Sequence, residues 1–439
     1  MRRLPPALLI LLAVPAAAHA AFPGGQGLVA WETRLPNGDD PALHPADGAG
    51  NWEIYAARPG GSSRRNLTRH PADDFGPAWS PDGRRIAFES TRDSAREAYG
   101  DTEIYVMDSH GRGVRRLTRA PGLSQDPAWA PDGRRIAWQD DRDGNGEIYA
   151  MDTDGARLRR LTHDPGGDHD PVYSPDGSGI MWVAERGGRY DLWLMRPDGS
   201  GKRRLTDLPS WDSVPGFSHD GARVVFLSDR LGGIDVFTAD VDGRRQSPLT
   251  RGPEREFEPV FAPDGQALAI QRGAGPASEL DGSNEILTLD LGGDVIRRLT
   301  RDARDDHAPD WQPLPPACKR LVRARPGPQR VRGTRAGDRV FGGMGDDFLA
   351  GGPGRDCLFG GLGRDRLAGG PGDDWLTGGP GRDRFLGGAG DDLIDARDGL
   401  AEPVRCGAGT DTVVTDRGDR LTGCERRARG ALRVPGVAR

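Results

Sequence analysis

Twelve residues in the last third of the chain have the types and the spacing to hold cations. Gly-Gly pairs begin at Gly342, Gly351, Gly360, Gly369, Gly378 and Gly387, each followed by Gly at the fourth position and by Asp at the sixth. Those carboxylates, Asp347, Asp356, Asp365, Asp374, Asp383 and Asp392, recur without interruption from 342 to 395. A carboxylate is a hard anionic oxygen donor, the type that calcium prefers. Glycine permits backbone shapes and close approaches that a Cβ would block. The first six residues of each unit therefore read as a turn whose carbonyls can face a cation. The eighth positions, Leu349, Leu358, Leu367, Leu376, Phe385 and Ile394, are all apolar. They read as one inward residue on a short strand after each turn. Gly/Asp-rich tracts also occur as unstructured linkers, and the fixed apolar eighth position argues against that reading here.

The pattern G-G-x-G-x-D-x-U-x resembles the RTX parallel β-roll. The resemblance implies that one repeat makes half a turn and that calcium lies between turns two repeats apart. It would then stack Asp347 with Asp365, Asp356 with Asp374, Asp365 with Asp383, and Asp374 with Asp392, giving four sites. Asp338, with Val340 after it, and the string from Cys406 through Asp411 to Val413 look like degenerate repeats that cap the array. At the fifth position Arg355, Arg364 and Arg382 alternate irregularly with Asp346, Asp373 and Asp391, so the arginines are expected to offset repulsion among the carboxylates. Without metal the acid rows repel and the core is thin, so folding is expected to be coupled to calcium.

Residues 27 to 313 repeat on a longer period. A Pro-x-aromatic-x-Pro-Asp-Gly string starts at Pro77, Pro127, Pro171, Pro215, Pro259 and Pro309; His219 replaces the second Pro once, and the last copy lacks Asp-Gly. An acidic-aliphatic pair starts at Glu53, Glu103, Glu147, Asp191, Asp235 and Glu285, and a Leu-Thr pair starts at Leu67, Leu117, Leu161, Leu205, Leu249 and Leu299. All three series step by 50, 44, 44, 44 and 50 residues. Units of this length with four short strands and Asp-Gly turns predict propeller blades. The chain enters on a second strand around Leu28–Trp31 and leaves on a first strand around Pro309–Trp311, so the two ends should share one blade. The predicted architecture is all-β: a six-bladed β-propeller followed by a parallel β-roll of RTX type.

The string from Pro77 to Phe88 and the stretch from Arg142 to Tyr149 resemble the TolB family of WD-like propellers. That resemblance implies a periplasmic or extracellular propeller that binds proteins. Three residues before each blade's first Pro stand Asp74, Ser124, Asp168, Asp212, Glu256 and Asp306, five of them acidic. They are expected either to gather at one mouth of the central channel, where like charges attract a cation or a basic partner, or to cap their own turns. Asp141-x-Asp143-x-Asn145-Gly146 approaches an EF-hand loop but lacks flanking helices. The residues carry no nucleophile elbow and no H-E-x-x-H pair. No catalytic or organic-cofactor residues are assigned, and calcium is the one expected cofactor. A hydrolase using the acidic mouth, with His169 and His307 beside it, is the alternative.

Composition sets the frame. Sixty-six Gly and 36 Pro against 6% aromatics favour tight turns over long helices. Arg2 and Arg3, the apolar run Leu8–Val14 and Ala18-His19-Ala20 predict a cleaved signal peptide and a secreted or periplasmic protein without a transmembrane anchor. Its removal shifts the formal charge from −6 to −8, which argues against nucleic acid. Cys318, Cys357, Cys406 and Cys424 allow three disulfide pairings, of which Cys406–Cys424 is favoured by proximity. The expected division is a signal peptide at 1–20, a propeller at 21–314, a Pro/Arg-rich linker at 315–332, a roll with degenerate flanks at 333–425 and a basic tail at 426–439. The roll should bind several calcium ions, and the propeller should recognise a protein or a cell-surface glycan.

Overall fold

The computed structural model describes residues 26–428 except 35–50, 59–62, 94–100, 253–254, 264–266, 274–283, 301–305, 314–317, 319, 325–326, 398–399 and 416–417. The expected signal peptide and most of the expected tail lie outside the described residues. All described elements are strands.

Six four-stranded antiparallel sheets form the propeller. Asp74–Trp79, Arg85–Ser90, Glu103–Asp108 and Arg115–Arg116 make the first blade. Four more begin at Ser124, Asp168, Asp212 and Glu256. The closing blade joins the two ends of this half: Asp306–Pro313 pairs with Gln26–Arg34, which pairs with Trp52–Ala57. Ring closure removes the free edges that would otherwise recruit foreign strands.

The repeated landmarks are fasteners within each blade. The Thr of every Leu-Thr pair accepts the N–H of the aliphatic residue on the third strand; Thr118 takes Ile104, Thr162 takes Ile148 and Thr206 takes Leu192, at 2.8–3.0 Å. In four blades the acid before that aliphatic residue meets a fourth-strand arginine, as in Glu147–Arg160 and Asp191–Arg204, both at 2.7 Å. In the Ser-Pro-Asp-Gly turn, Ser80 Oγ donates to Asp82 and accepts the N–H of Arg85. Gly83 closes that turn at φ 65°, a left-handed shape in which a Cβ is strained.

The roll is built from two parallel sheets of seven and six strands, with neighbours 18 or 19 residues apart in most pairs. Its core is two facing ladders one residue thick. Val340, Leu358, Leu376, Ile394 and Val413 lie in register on the larger sheet, and Val331, Leu349, Leu367, Phe385 and Val404 on the smaller. All ten are buried. Arg320–Arg323 and Arg330–Arg332, inside the stretch expected to be a linker, already pair in parallel with roll strands, so the solenoid begins before the first intact repeat. Strand Arg426–Ala428, at the start of the expected tail, pairs with Thr412–Thr415. Disulfides join Cys318 to Cys357 and Cys406 to Cys424, the second being the favoured pair.

The two halves touch. The outer face of the larger roll sheet buries Phe341, Cys357, Phe359 and Trp375. His219, from the first turn of the fourth blade, lies flat on Trp375 with ring centres 5.5 Å apart and meets Phe359 edge-on at 5.7 Å.

Candidate metal centre

Each turn of the roll places its Asp at a corner between the two sheets, and the corners form two ladders. On one, the N–H of Asp338 donates to Oδ1 of Asp356, Asp356 to Asp374, Asp374 to Asp392 and Asp392 to Asp411, at 2.7–2.9 Å. On the other, the N–H groups of Gln329, Asp347 and Asp365 donate to Oδ1 of Asp347, Asp365 and Asp383, at 2.7–2.8 Å. One carboxylate oxygen therefore fixes the next turn. The second oxygen of Asp347, Asp356, Asp365, Asp374 and Asp392 is buried and has no hydrogen-bond donor. An unsatisfied buried carboxylate oxygen costs free energy unless a proton or a cation meets it.

The first glycine of each repeat makes room for that oxygen. A Cβ on Gly342 would fall 2.7 Å from Oδ2 of Asp347, and one on Gly360 would fall 2.5 Å from Oδ2 of Asp365. Gly351, Gly369, Gly378 and Gly387 meet the Oδ2 of Asp356, Asp374, Asp383 and Asp392 in the same way. These glycines are thus required by the carboxylates as much as by the backbone. Among the described residues no three carboxylate, imidazole or thiolate groups converge on one point. Ligands beyond the Asp oxygens would come from the backbone carbonyls of the glycine turns, a donor set suited to a hard cation.

Burial pushes the Asp347 carboxyl up to about 6, Asp365 and Asp392 to about 7 and Asp374 to about 8, with neighbouring carboxylates adding to the rise. The fifth-position residues form an outer rail: Arg355 pairs with Asp373 one turn on at 2.7 Å, and the N–H of Arg364 donates to Asp346. The flanking candidates Asp338 and Asp411 both join a ladder, but three further carboxylates at the carboxy-terminal ends carry no signal in the repeat pattern. Glu402 accepts the N–H of Asp383, Asp419 accepts that of Glu402, and Glu425 accepts that of Asp411. The insertion after Asp392 hides the nine-residue period there, so only a search at a spacing of about one turn would reveal Glu402.

The propeller acids expected at the channel mouth have another role. Asp74 binds Arg92 at 2.7 and 2.8 Å, Asp168 binds Arg186 at 2.8 Å, Asp212 binds Arg230 at 2.8 and 2.9 Å, and Glu256 binds Arg272 at 2.8 Å. Asp306 accepts from Trp31 and Thr33. Ser124 completes the pattern by donating to Asp140, which binds Arg142, so the second blade carries its acid on the neighbouring strand. Neither the open acidic ring nor the self-capping turn is formed. In four blades the side chain at this position turns toward an arginine at or just past the end of the second strand of its own blade.

The acids at the axis are others. One residue before each first Pro, the inner strand bulges with φ of 48–53° at Gly76, Asp126, Asp170, Val214, Glu258 and Ala308. Carboxylates of one blade take the N–H groups of these bulges in the next: Glu32 takes Gly76, Glu89 takes Asp126 and Glu258 takes Ala308. Burial drives Asp170 up to about 7 and Glu258 to about 8. His307 packs edge-on against Trp52, 5.0 Å between centres. The EF-hand-like loop is spent on structure, with Asp143 held by Tyr149 and Arg160, and Asn145 donating to Asp164 and Gly166 carbonyls.

The TolB β-propeller domain model matches residues 94–170 and 162–315, half of the chain. The chain belongs to that family. Beside its TolB-type propeller it carries RTX calcium-binding nonapeptide repeats, matched over 332–367 and 368–399. Among solved structures, TolB from Acinetobacter baumannii is 23% identical with a TM-score of 0.55, covering 65% of this chain and 67% of that one. A nidogen/laminin complex is 13% identical with a TM-score of 0.50, covering 66% and 99%. Kuenenia stuttgartiensis hydrazine synthase is 16% identical with a TM-score of 0.50, covering 67% and 48%. These likenesses show the propeller fold alone. None of the curated proteins matches the chain. Among the described residues no helix is long and apolar enough to cross a membrane.

Proposed function

We propose that this is an exported calcium-binding protein in which the roll holds several calcium ions and the propeller serves as a recognition scaffold. The observation that carries the reading is the pair of Asp ladders, each presenting a buried second oxygen in a space that only glycine leaves open. Asp347, Asp356, Asp365, Asp374, Asp383 and Asp392 would hold the cations, with the turns at Gly342, Gly351, Gly360, Gly369, Gly378 and Gly387 facing them. Bound calcium supplies positive charge in place of the protons that burial otherwise retains. Binding then stabilises the folded roll, because the unfolded segment offers no assembled site.

The scaffold role of the propeller is supported by the state of its acids. Asp168 and Asp306, on which a hydrolase at the channel mouth would depend, are engaged with Arg186, Trp182, Trp31 and Thr33. A protein or surface glycan is the expected partner. Export is supported by the leader-like first twenty residues and by disulfides that persist in oxidising compartments.

Amide hydrogen exchange of the full chain, with and without calcium at about 1 mM, tests the reading. Protection of 338–413 should appear only with calcium. Equal protection in chelator and in calcium would overturn it.

A further inference from the structure

The two outer faces of the roll are chemically opposite. The larger sheet turns its aromatic face to the propeller, whereas the smaller sheet is open to solvent. On the smaller sheet, the residues flanking each core position project outward. Across six strands, from Arg330–Arg332 to Arg420–Thr422, those twelve outward positions hold six arginines and no carboxylate. Arg330, Arg332, Arg366, Arg384, Arg405 and Arg420 are all exposed, and none forms an ion pair among the described residues.

Arg366 and Arg384 are directly opposed Cα partners on neighbouring strands. Like charges facing across a ladder destabilise a sheet, and among the described residues no carboxylate pairs with either arginine. Phe348 stands in register between Arg330 and Arg366, with the Arg330 guanidinium 5.9 Å from its ring centre. Arg330, Arg366 and Arg384 line a groove of about 850 Å³ that runs along the roll. Arg364 and Arg382 of the glycine turns line its rim, and the ladder acids Asp347, Asp365 and Asp383 lie along its edge.

We propose that this face binds a linear acidic polysaccharide, and that calcium enables the binding. Parallel strands repeat every ~4.8 Å, so six strands carry the guanidinium row over about 24 Å. That repeat is close to the advance of one sugar along an extended chain, and guanidinium groups take carboxylate or sulfate oxygens in pairs. A nucleic acid is disfavoured by the net negative chain and by the lack of an open aromatic platform for base stacking. A membrane is disfavoured because Leu386 is the one large exposed apolar side chain on the face. The calcium dependence rests on the function proposed above. Five arginines and four aspartates line the groove, so its charge nearly cancels while the acids are bare, and calcium on Asp347, Asp365 and Asp383 leaves the guanidinium row in excess.

The test measures retention of the full chain on immobilised polygalacturonate and dextran sulfate in about 0.15 M salt, with calcium at about 1 mM or with chelator. Retention should require calcium, and R366Q/R384Q should weaken it at least tenfold while leaving the calcium-induced protection of 338–413 unchanged. R330Q/R420Q, at the two ends of the row, should weaken it less. Wild-type protein that gains protection but is not retained would overturn the proposal, as would retention equal in R366Q/R384Q, the mark of calcium merely bridging acid to acid. Stronger retention on single-stranded DNA than on either polysaccharide would overturn the ligand class. If calcium brings no protection, the calcium reading falls by itself; retention that is then calcium-independent but lost in R366Q/R384Q still supports the arginine face, and its absence overturns it.

Discussion

His219 and Trp375 stack with their rings 12° from parallel, and theirs is a contact between the fourth blade and the roll. The same turn position carries Pro81, Pro131, Pro175 and Pro263 in other blades, so the imidazole stands where the blade pattern calls for a pyrrolidine. Aromatic pairs contribute about 0.5–1.5 kcal/mol beyond their buried area. Replacing His219 with Pro should therefore uncouple the halves by about 1 kcal/mol. Calorimetry should show calcium raising the propeller's unfolding midpoint in the wild type and not in H219P; an identical calcium effect in both proteins refutes the coupling.

Asp365 and Asp374 each lie in the middle of a ladder, so each should serve two cation sites. D365A also strips the acceptor from the N–H of Asp347. Calcium titrations followed by hydrogen exchange should show the half-saturation point rising at least tenfold, about 1.4 kcal/mol. D383A should shift it less, since Glu402 follows Asp383 on that corner. G360A should be at least as damaging as D365A, because its methyl would occupy the space of the Asp365 oxygen.

The axial carboxylates give the propeller a pH dependence with a definite sign. Asp170 and Glu258 hold their protons up to about 7 and about 8 in the fold, against about 3.9 and 4.3 in an unfolded chain. Folding therefore takes up protons between those limits. This contribution is fully present below about pH 4 and lost as pH rises through about 8. Nine of the ten tryptophans lie in the propeller, so their fluorescence reports its unfolding. The denaturation midpoint of calcium-saturated protein should be higher at pH 5.5 than at pH 8.5, and E258Q should narrow the gap while keeping an oxygen to accept Ala308 N–H. A midpoint that rises with pH over this range contradicts the burial argument.

The threonine latch can be tested in one blade. T162V keeps the side chain's shape and leaves the buried N–H of Ile148 without its acceptor. Orphaning such a donor costs about 1–3 kcal/mol. Urea denaturation should show a loss in that range, and a change below about 0.5 kcal/mol would assign the repeated Thr to some other purpose.

Much of this was legible in the residues because repetition makes chemistry visible. Three landmark series in step located six blades, and the chain's two half-blades located the closure. The glycine-aspartate period likewise marked every member of the central ladders. What escaped were features set by geometry between units. Asp126, Asp170 and Glu258 sit at a bulge whose left-handed φ turns their side chains to the axis, and a pattern three residues upstream of each Pro pointed to the wrong carboxylates. Glu402 joined the ladder through an insertion that shifts the register by one residue. The arginine face was hidden because its residues come from separate turns of the roll and become a row only when the strands stack.

The closing blade carries a mechanical implication. The strand Asp306–Pro313 leads directly toward the roll and is held in the ring by its pairing with Gln26–Arg34. Should the roll be anchored to a surface through its arginine face, tension along the chain would load that antiparallel pair first. The ring would then give way at its seam, with the other five blades still folded, so the seam sets the force that this protein can transmit.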